Sequence, residues 1–280
     1  MTLSAVSNAG MSKAARSSRA ASVFLRSAPS VVGVVAILFV VTIAVGEALA
    51  PRSQPSIGLA LLRWAPLIFM GFLFNLLVSV LSMSIGTIAG VMLGLAQVSL
   101  FRPVRRSAWL ATQFFRNAPW LVLLFYAMFL IPFEATLFGV HIQVPAWVKA
   151  VIGLSLPVMA NVSEIVRGGI VSIPLAQWES SEALAFNRSQ MFRLIIIPQA
   201  IKRMIPPWMN LYAILTMATS TISIVGVQEA VARTQGALVA EGRLELFIPM
   251  YGMLLFFFFA FSYPIARWTV RLEQRFHVKI

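Results

Sequence analysis

The residues best suited to solute chemistry are a run of hydroxyls. Tyr212, Thr216, Thr219 and Ser223 recur at i, i+4, i+7 and i+11, which places them on one helical face, with Ser220 and Thr221 flanking it. Inside an apolar segment such groups face a bundle interior or a water-filled cavity. There they offer uncharged hydrogen bonds to a zwitterionic solute. The alternative is that each bonds back to a carbonyl of its own helix. Asn75 and Ser79 repeat the pattern in an earlier segment. Covalent and metal chemistry have little to work with. Cysteine and aspartate are absent, all nine acidic residues are glutamate, and the only histidines are His141 and His277. No thiol nucleophile, thiolate metal site or Asp dyad can be assembled. None of the four lysines follows a glycine, so no Gly-x-x-x-x-Gly-Lys-Ser/Thr phosphate loop exists. The expectation is no catalytic residue, no metal and no bound cofactor. His141 is read as solvated in an outer loop.

The elements that hold these residues follow from composition. The 280 residues are 59% hydrophobic and 11% charged, with a mean hydropathy of +0.87. Soluble domains carry roughly 25% charge and about 45–50% apolar residues, so a soluble globule and a disordered chain are excluded. Charges rarely sit in mid-bilayer, so spans are long gaps between them. Such gaps run from Arg26 to Glu47, Arg63 to Arg102, Arg116 to Glu134, Arg203 to Glu229 and Glu245 to Arg267. A weaker candidate, 146–163, contains Lys149. Six spans result if the 38-residue second gap holds one long helix with an interfacial lead-in; two helices there are the alternative.

Charge sets the direction. With the N-terminus inside, segments 1–30, 97–116, 164–206 and 267–280 hold 17 of the 22 Lys and Arg and four of the glutamates. The opposite side is neutral, and basic residues favour the cytoplasmic side. Both termini are therefore expected in the cytoplasm. This topology accounts for the net charge of +13 without a nucleic-acid partner.

Residues 1–28 read as a basic, disordered cytoplasmic tail, 29–50 as an additional N-terminal anchor, and 269–280 as a basic C-terminal tail. The first span ends in Ala48-Leu49-Ala50, which resembles a signal-peptidase site, but its apolar run exceeds the usual length of about 7–15 residues. An uncleaved anchor is the favoured reading. In the second span Ser82, Gly86, Gly90 and Gly94 recur every four residues, a stripe that lets two helices approach closely, within the chain or at a subunit interface. Phe256–Phe259 is read as lipid-facing or packed. The segment 164–207 alternates breakers with helix-like stretches. Gly168-Gly169 and Pro174 precede Gln177–Leu184, Ser189–Ile197 stops before Pro198, and Pro206-Pro207 opens the next span. Such a loop docks a partner or lies on the membrane surface.

Its residues resemble those of the permease subunits of ABC importers for polar amino acids. The resemblance rests on Glu164-Ile165-Val166-Arg167-Gly168-Gly169-Ile170, Ser172-Ile173-Pro174 and Gln177-Trp178-Glu179. It continues through Ile195, Ile197-Pro198-Gln199-Ala200 and Ile205-Pro206-Pro207 with Asn210. The family's signature, Glu-Ala-Ala, three residues, Gly, nine residues, Ile-x-Leu-Pro, falls on Glu179-Ser180-Ser181, Ala185 and Ile195-x-Ile197-Pro198. Phe115-Arg116-Asn117-Ala118-Pro119 and Leu272-Glu273 with Arg275 are further matches.

The resemblance implies an all-α polytopic transmembrane bundle, a five-helix core over 66–268 plus the extra N-terminal span, in a bacterial cytoplasmic (inner) membrane. It implies half of a transport pathway, shared with a second permease that is the same or homologous. Two cytosolic ATPase subunits would hold the ATP and Mg, and a periplasmic or extracytoplasmic binding protein would deliver the solute. The family's coupling helix enters a cleft on the ATPase. Glu179, Ser180, Ser181, Glu182, Ala185, Arg188, Arg193 and Pro198 are the coupling candidates: small residues for entry, charges for register. Tyr212, Thr216, Thr219, Ser220, Ser223 and Asn75 are the solute-path candidates. Three departures stand out. Ala185 replaces a turn glycine at a cost of the order of 1 kcal/mol, so the turn is expected to move to Asn187. Asn161 stands where Tyr is usual and Leu123 where Gln is frequent. Met217-Ala218-Thr219-Ser220 replaces Lys-Asp/Asn-Thr-Ser. The competing readings are an ion-coupled secondary transporter, which needs ionisable groups near the midplane, and a non-transporting signalling relative.

Overall fold

A computed structural model describes residues 28–49, 55–137 and 140–276. The tail up to residue 27, Ala50 of the signal-peptidase-like site, and His277 with the rest of the C-terminus lie outside the described residues. Helix α1 spans Ala28–Leu49, α2 Ile57–Gln97, α3 Arg102–Asn117 and α4 Trp120–Leu130. Strands β1 (Glu134–Leu137) and β2 (Val140–Gln143) follow, then α5 (Ala146–Val171), α6 (Leu175–Ala183) and the short α7 (Arg188–Gln190). A π turn over Met191–Ile196 leads into α8 (Ile197–Ala218), and a 3-10 segment, Thr219–Val225, follows it. The chain ends with α9 (Ala230–Glu241), a 3-10 turn at Leu244–Leu246 and α10 (Phe247–Phe276). Five helical stretches are long and apolar enough to cross a membrane: Val31–Ala48, Ile57–Gln97, Ala146–Val171, Arg188–Val225 and Leu244–Arg275. The fold is the expected helical bundle, with one hairpin that pairs Glu134 with Gln143 and Leu137 with Val140.

The 38-residue gap resolves as one helix. α2 runs 41 residues, about 60 Å at 1.5 Å per residue, twice the ~30 Å hydrocarbon core. Its lower half lies against α5, and the small-residue stripe is the reason they can touch. A Cβ on Gly90 would lie 2.6 Å from Val162 Cβ and 2.7 Å from the Met159 carbonyl oxygen, and one on Gly94 2.7 Å from the Ser163 carbonyl oxygen. Ser82 donates to the Val151 carbonyl at 3.2 Å. The stripe serves packing within the chain. Around it Val78, Leu124, Leu154, Val158, Val162 and Leu215 form one core, and Ile57, Ile68, Phe72, Ala230, Leu246 and Met250 form a second. α1 packs on α10, where Phe39 stacks on Phe256 at 5.7 Å, while Val34, Ile37, Leu38 and Val40 stay exposed as lipid-facing side chains.

Three expectations need correction. The gap from Arg116 to Glu134 does not hold a full span, because Pro119 separates α3 from α4 and leaves α4 only 11 residues, about 16 Å. Ser189–Ile197 does not stop before Pro198, and Pro206-Pro207 does not open a new helix. The π turn carries the chain through instead, with the Ile197 amide donating to the Phe192 carbonyl, five residues back. Pro198 then falls in the first turn of α8, where its missing N–H is not needed. Between the spans that end at Val225 and begin at Leu244 lies helix α9, capped by the Glu229 side chain. α10 runs on past Arg267 through Arg271 and Arg275 to Phe276.

Candidate functional site

Three neighbouring features make up the site: the α6–α7 surface, a cleft between α5 and α8, and a buried polar knot. In the first, Pro174 sets up α6 as its N-cap residue. Trp178 meets Phe192 edge-on at 5.5 Å, and Gln199 Nε2 donates to Gln177 Oε1 at 3.3 Å. These contacts fasten α6 to the π turn. The helix ends in a Schellman turn. Ala185 N–H donates to the Glu182 carbonyl at 2.9 Å and Phe186 N–H to the Ser181 carbonyl at 3.1 Å, which requires a left-handed residue between them.

That residue is Ala185, with φ +56, the only described non-glycine residue at positive φ. The turn has not moved to Asn187. Asn187 is occupied as the cap of α7, where its side chain accepts from Gln190 N–H and Gln190 Oε1 accepts from Asn187 N–H, both at 2.9 Å. A cap residue needs extended backbone, and Asn187 has φ −71 and ψ 162. Glu179, Ser180, Glu182, Ala185, Arg188, Arg193 and Pro198 are exposed. Ser181 points inward, 1% exposed. No ion pair engages Glu179, Glu182, Arg188 or Arg193 among the described residues.

The cleft has a volume of about 760 Å³. Asn161, Glu164, Gly168 and Ser172 line it from α5, Lys202, Arg203, Pro206, Asn210 and Ile214 from α8, with Arg116 and Glu273 at its edges. Glu164 accepts from Arg167 Nη2 at 2.8 Å and Nε at 3.1 Å, and Arg116 lies 3.9 Å away. Arg203 donates to the Ser172 carbonyl, bridging the two helices. The cleft therefore offers carboxylates, cations and amides together, the mixture a zwitterion needs. Sequence reasoning did not single out Glu164, Arg116, Asn161 and Asn210 as pathway residues. The usable signal was spacing: Asn161, Glu164 and Gly168 share one face of α5, whereas the hydroxyl stripe leaves α8 after Thr216 and continues in the 3-10 segment.

The hydroxyl stripe sits elsewhere. Thr216 and Thr219 are fully buried and donate to the Tyr212 and Thr216 carbonyls at 2.9 and 2.7 Å. Ser220 and Ser223 donate to the Met217 and Ser220 carbonyls. Ser79 Oγ donates to the Tyr212 hydroxyl at 3.3 Å. Asn75 Nδ2 donates to Thr219 Oγ1, and its Oδ1 accepts from Ala230 N–H, each at 3.1 Å. None of these residues lines the cleft; together they tie α2, the 3-10 segment and α9. Glu229, beyond the end of the Arg188–Val225 span, accepts from Val231 and Ala232 N–H through Oε1, and burial pushes its carboxyl above the usual range.

Known proteins share this fold. Residues 86–278 match the family described as the binding-protein-dependent transport system inner membrane component. A probable amino-acid ABC transporter permease protein of Bacillus subtilis, YckA, is 32% identical over 75% of this chain and 89% of its own length. The arginine transport system permease protein ArtQ of the same organism is 33% identical over 61% of this chain and 76% of its own. Among solved structures, an amino acid ABC transporter with histidines superposes with a TM-score of 0.68 at 24% identity, covering 78% of this chain and 97% of that one. The methionine transporter MetNI in an inward-facing form gives 0.55 at 14% identity, covering 80% of this chain and 100% of that one. With that match over more than half of its length, the chain belongs to the binding-protein-dependent transport system inner membrane component family.

Proposed function

We propose that this permease forms half of the pathway of an ATP-driven importer for a polar amino acid or similar small solute. It sits as a multi-pass protein in a bacterial cytoplasmic membrane with both termini inside. The observation that carries the reading is the surface formed by α6, α7 and the π turn, where Glu179, Glu182, Arg188 and Arg193 are exposed without ion-pair partners among the described residues. Charges held in fixed register without internal partners suit a docking surface whose complement lies on another chain. Two cytosolic ATPase subunits holding ATP and Mg are that complement. Closure of the ATPases moves the 177–198 region, the bundle opens outward, and a solute-binding protein releases its load near the axis shared with a second permease. The cleft between α5 and α8 serves as the inner part of the route. Residues 66–268 are the transporting unit, 164–206 its coupling segment and α1 an added anchor. No catalytic step falls to this chain.

Affinity purification from native membranes followed by mass spectrometry tests the assembly. Co-elution of an ATPase subunit and a permease is the expected result. If no nucleotide-binding partner co-elutes under conditions that preserve known complexes, the coupling role of 177–198 is lost and ion-coupled transport takes its place. A complex that assembles yet takes up no solute after reconstitution favours the signalling relative.

A further inference from the structure

Helix α3 presents three different faces. One edge is buried: Ala108 and Thr112 face the bundle, and Thr112 Oγ1 accepts from Gln97 Nε2 and meets Ser163 Oγ, each at 2.9 Å. A second face is apolar and uncovered, with Val104 42%, Leu110 61% and Phe114 66% exposed. It continues from uncovered apolar side chains at and just beyond the end of α2: Met92, Leu95, Leu100 and Phe101. The third face is cationic. Arg102, Arg105 and Arg106 are exposed and stand beside the half-exposed Trp109.

Among the described residues no carboxylate pairs with those charges. α3 contains no acidic residue, and its arginines cluster in the first turns, where the helix dipole is already positive. Arg63, Arg116, Arg167 and Arg243 each have a glutamate partner, whereas none of these three does among the described residues. A helix with one protein-facing edge, one apolar face and one basic face matches the pattern of a helix lying in a membrane interface. Basic groups at that depth are drawn to anionic headgroups.

We infer that α3 is a docking surface for phospholipids with anionic headgroups. Arg102, Arg105 and Arg106 reach the phosphates, Trp109 sits at headgroup level, and Leu110 and Phe114 lie among the acyl chains. The occupant is lipid rather than protein because the apolar face runs on from the exposed apolar end of α2 and the cations have no carboxylate partner among the described residues. This inference needs only that the chain spans a membrane, and it stands apart from the import reading.

The chain has no cysteine, so Leu110→Cys and Gln113→Cys each give one nitroxide site in the full-length protein. In vesicles of phosphatidylethanolamine and phosphatidylglycerol, the label at 110 is expected to be accessible to oxygen and shielded from a water-soluble nickel chelate, and the label at 113 the reverse. Native mass spectrometry of the purified chain should show bound phosphatidylglycerol falling about tenfold or more in Arg102→Gln/Arg105→Gln/Arg106→Gln. The corresponding triple lysine variant, which keeps the charge, should retain it. Phosphatidylcholine retention should be equal in all three proteins. The inference is overturned if phosphatidylglycerol retention is unchanged in the glutamine variant, or lost equally in the lysine variant. It is also overturned if the label at 110 is open to nickel, which puts the face in water, or shielded from both agents, which puts a protein partner on it.

Discussion

Phe186 donates its amide to the Ser181 carbonyl at 3.1 Å, closing α6 over a residue that chemistry would make glycine. Ala185 holds φ +56 because both turn bonds demand it and because Asn187 is committed to capping α7. The strain is local and removable. Ala185→Gly should stabilise the protein by about 0.5–1 kcal/mol, seen as a higher thermal midpoint of the purified chain, with uptake retained. Ala185→Val should lower the midpoint. A lower midpoint in the glycine variant would contradict the left-handed assignment.

Charge reversal at Glu179 tests coupling without touching the bundle. The side chain is exposed and makes no ion pair among the described residues, so Glu179→Arg should insert and fold normally while abolishing uptake. Normal uptake by that variant would remove the coupling role.

Close approach of α2 and α5 makes a graded series. Gly90→Ala meets Val162 Cβ and the Met159 carbonyl oxygen below 3.0 Å, so helix separation has to change. A loss of about 1–3 kcal/mol is expected, read as lower yield and thermal midpoint in detergent. Gly58→Ala, with nothing within 4 Å, is the neutral comparison.

Asn75 serves two partners at once. Asn75→Leu strands the buried Ala230 N–H and should cost about 1–3 kcal/mol. Thr219→Ala removes the Asn75 Nδ2 contact and the hydroxyl's bond to the Thr216 carbonyl of its own helix, leaves the Ala230 N–H satisfied, and should cost less. In the double variant the losses should fall short of their sum, because Asn75 already accounts for the shared bond.

Most of the bundle was legible because membranes permit few solutions. Charge-free gaps marked α1, α2, α8 and α10, α5 stood out only as a weaker stretch broken by Lys149, and the Ser82–Gly94 stripe marked the surface of α2 that meets α5. Pro198 misled because a breaker is judged by local rules, whereas a π turn one step upstream absorbs the missing donor. Arg116 to Glu134 misled for the opposite reason: a charge-free gap does not reveal the bend at Pro119. The hydroxyls of α8 were found, but spacing identifies a shared face without saying what that face meets. Asn75 and Tyr212 proved to be tied to one another's neighbourhood, while the open cleft belongs to Glu164, Arg203 and Asn210. A periodicity count that weighed glutamate, arginine and asparagine as heavily as hydroxyls would have placed α5 beside α8 in the site.

The helical run from Arg188 to Ala218 has no non-helical residue in it, although three prolines lie along it. At 1.5 Å per residue this is a rod of about 46 Å. One end carries the exposed Arg188 and Arg193, and the other ends at Thr219, tied to Asn75. A rod of that length converts a displacement at one tip into tilt of the whole, with Arg203, hydrogen-bonded to Ser172, as its fulcrum. Displacement at the Arg188 end would therefore arrive at the cleft as leverage rather than as local unfolding.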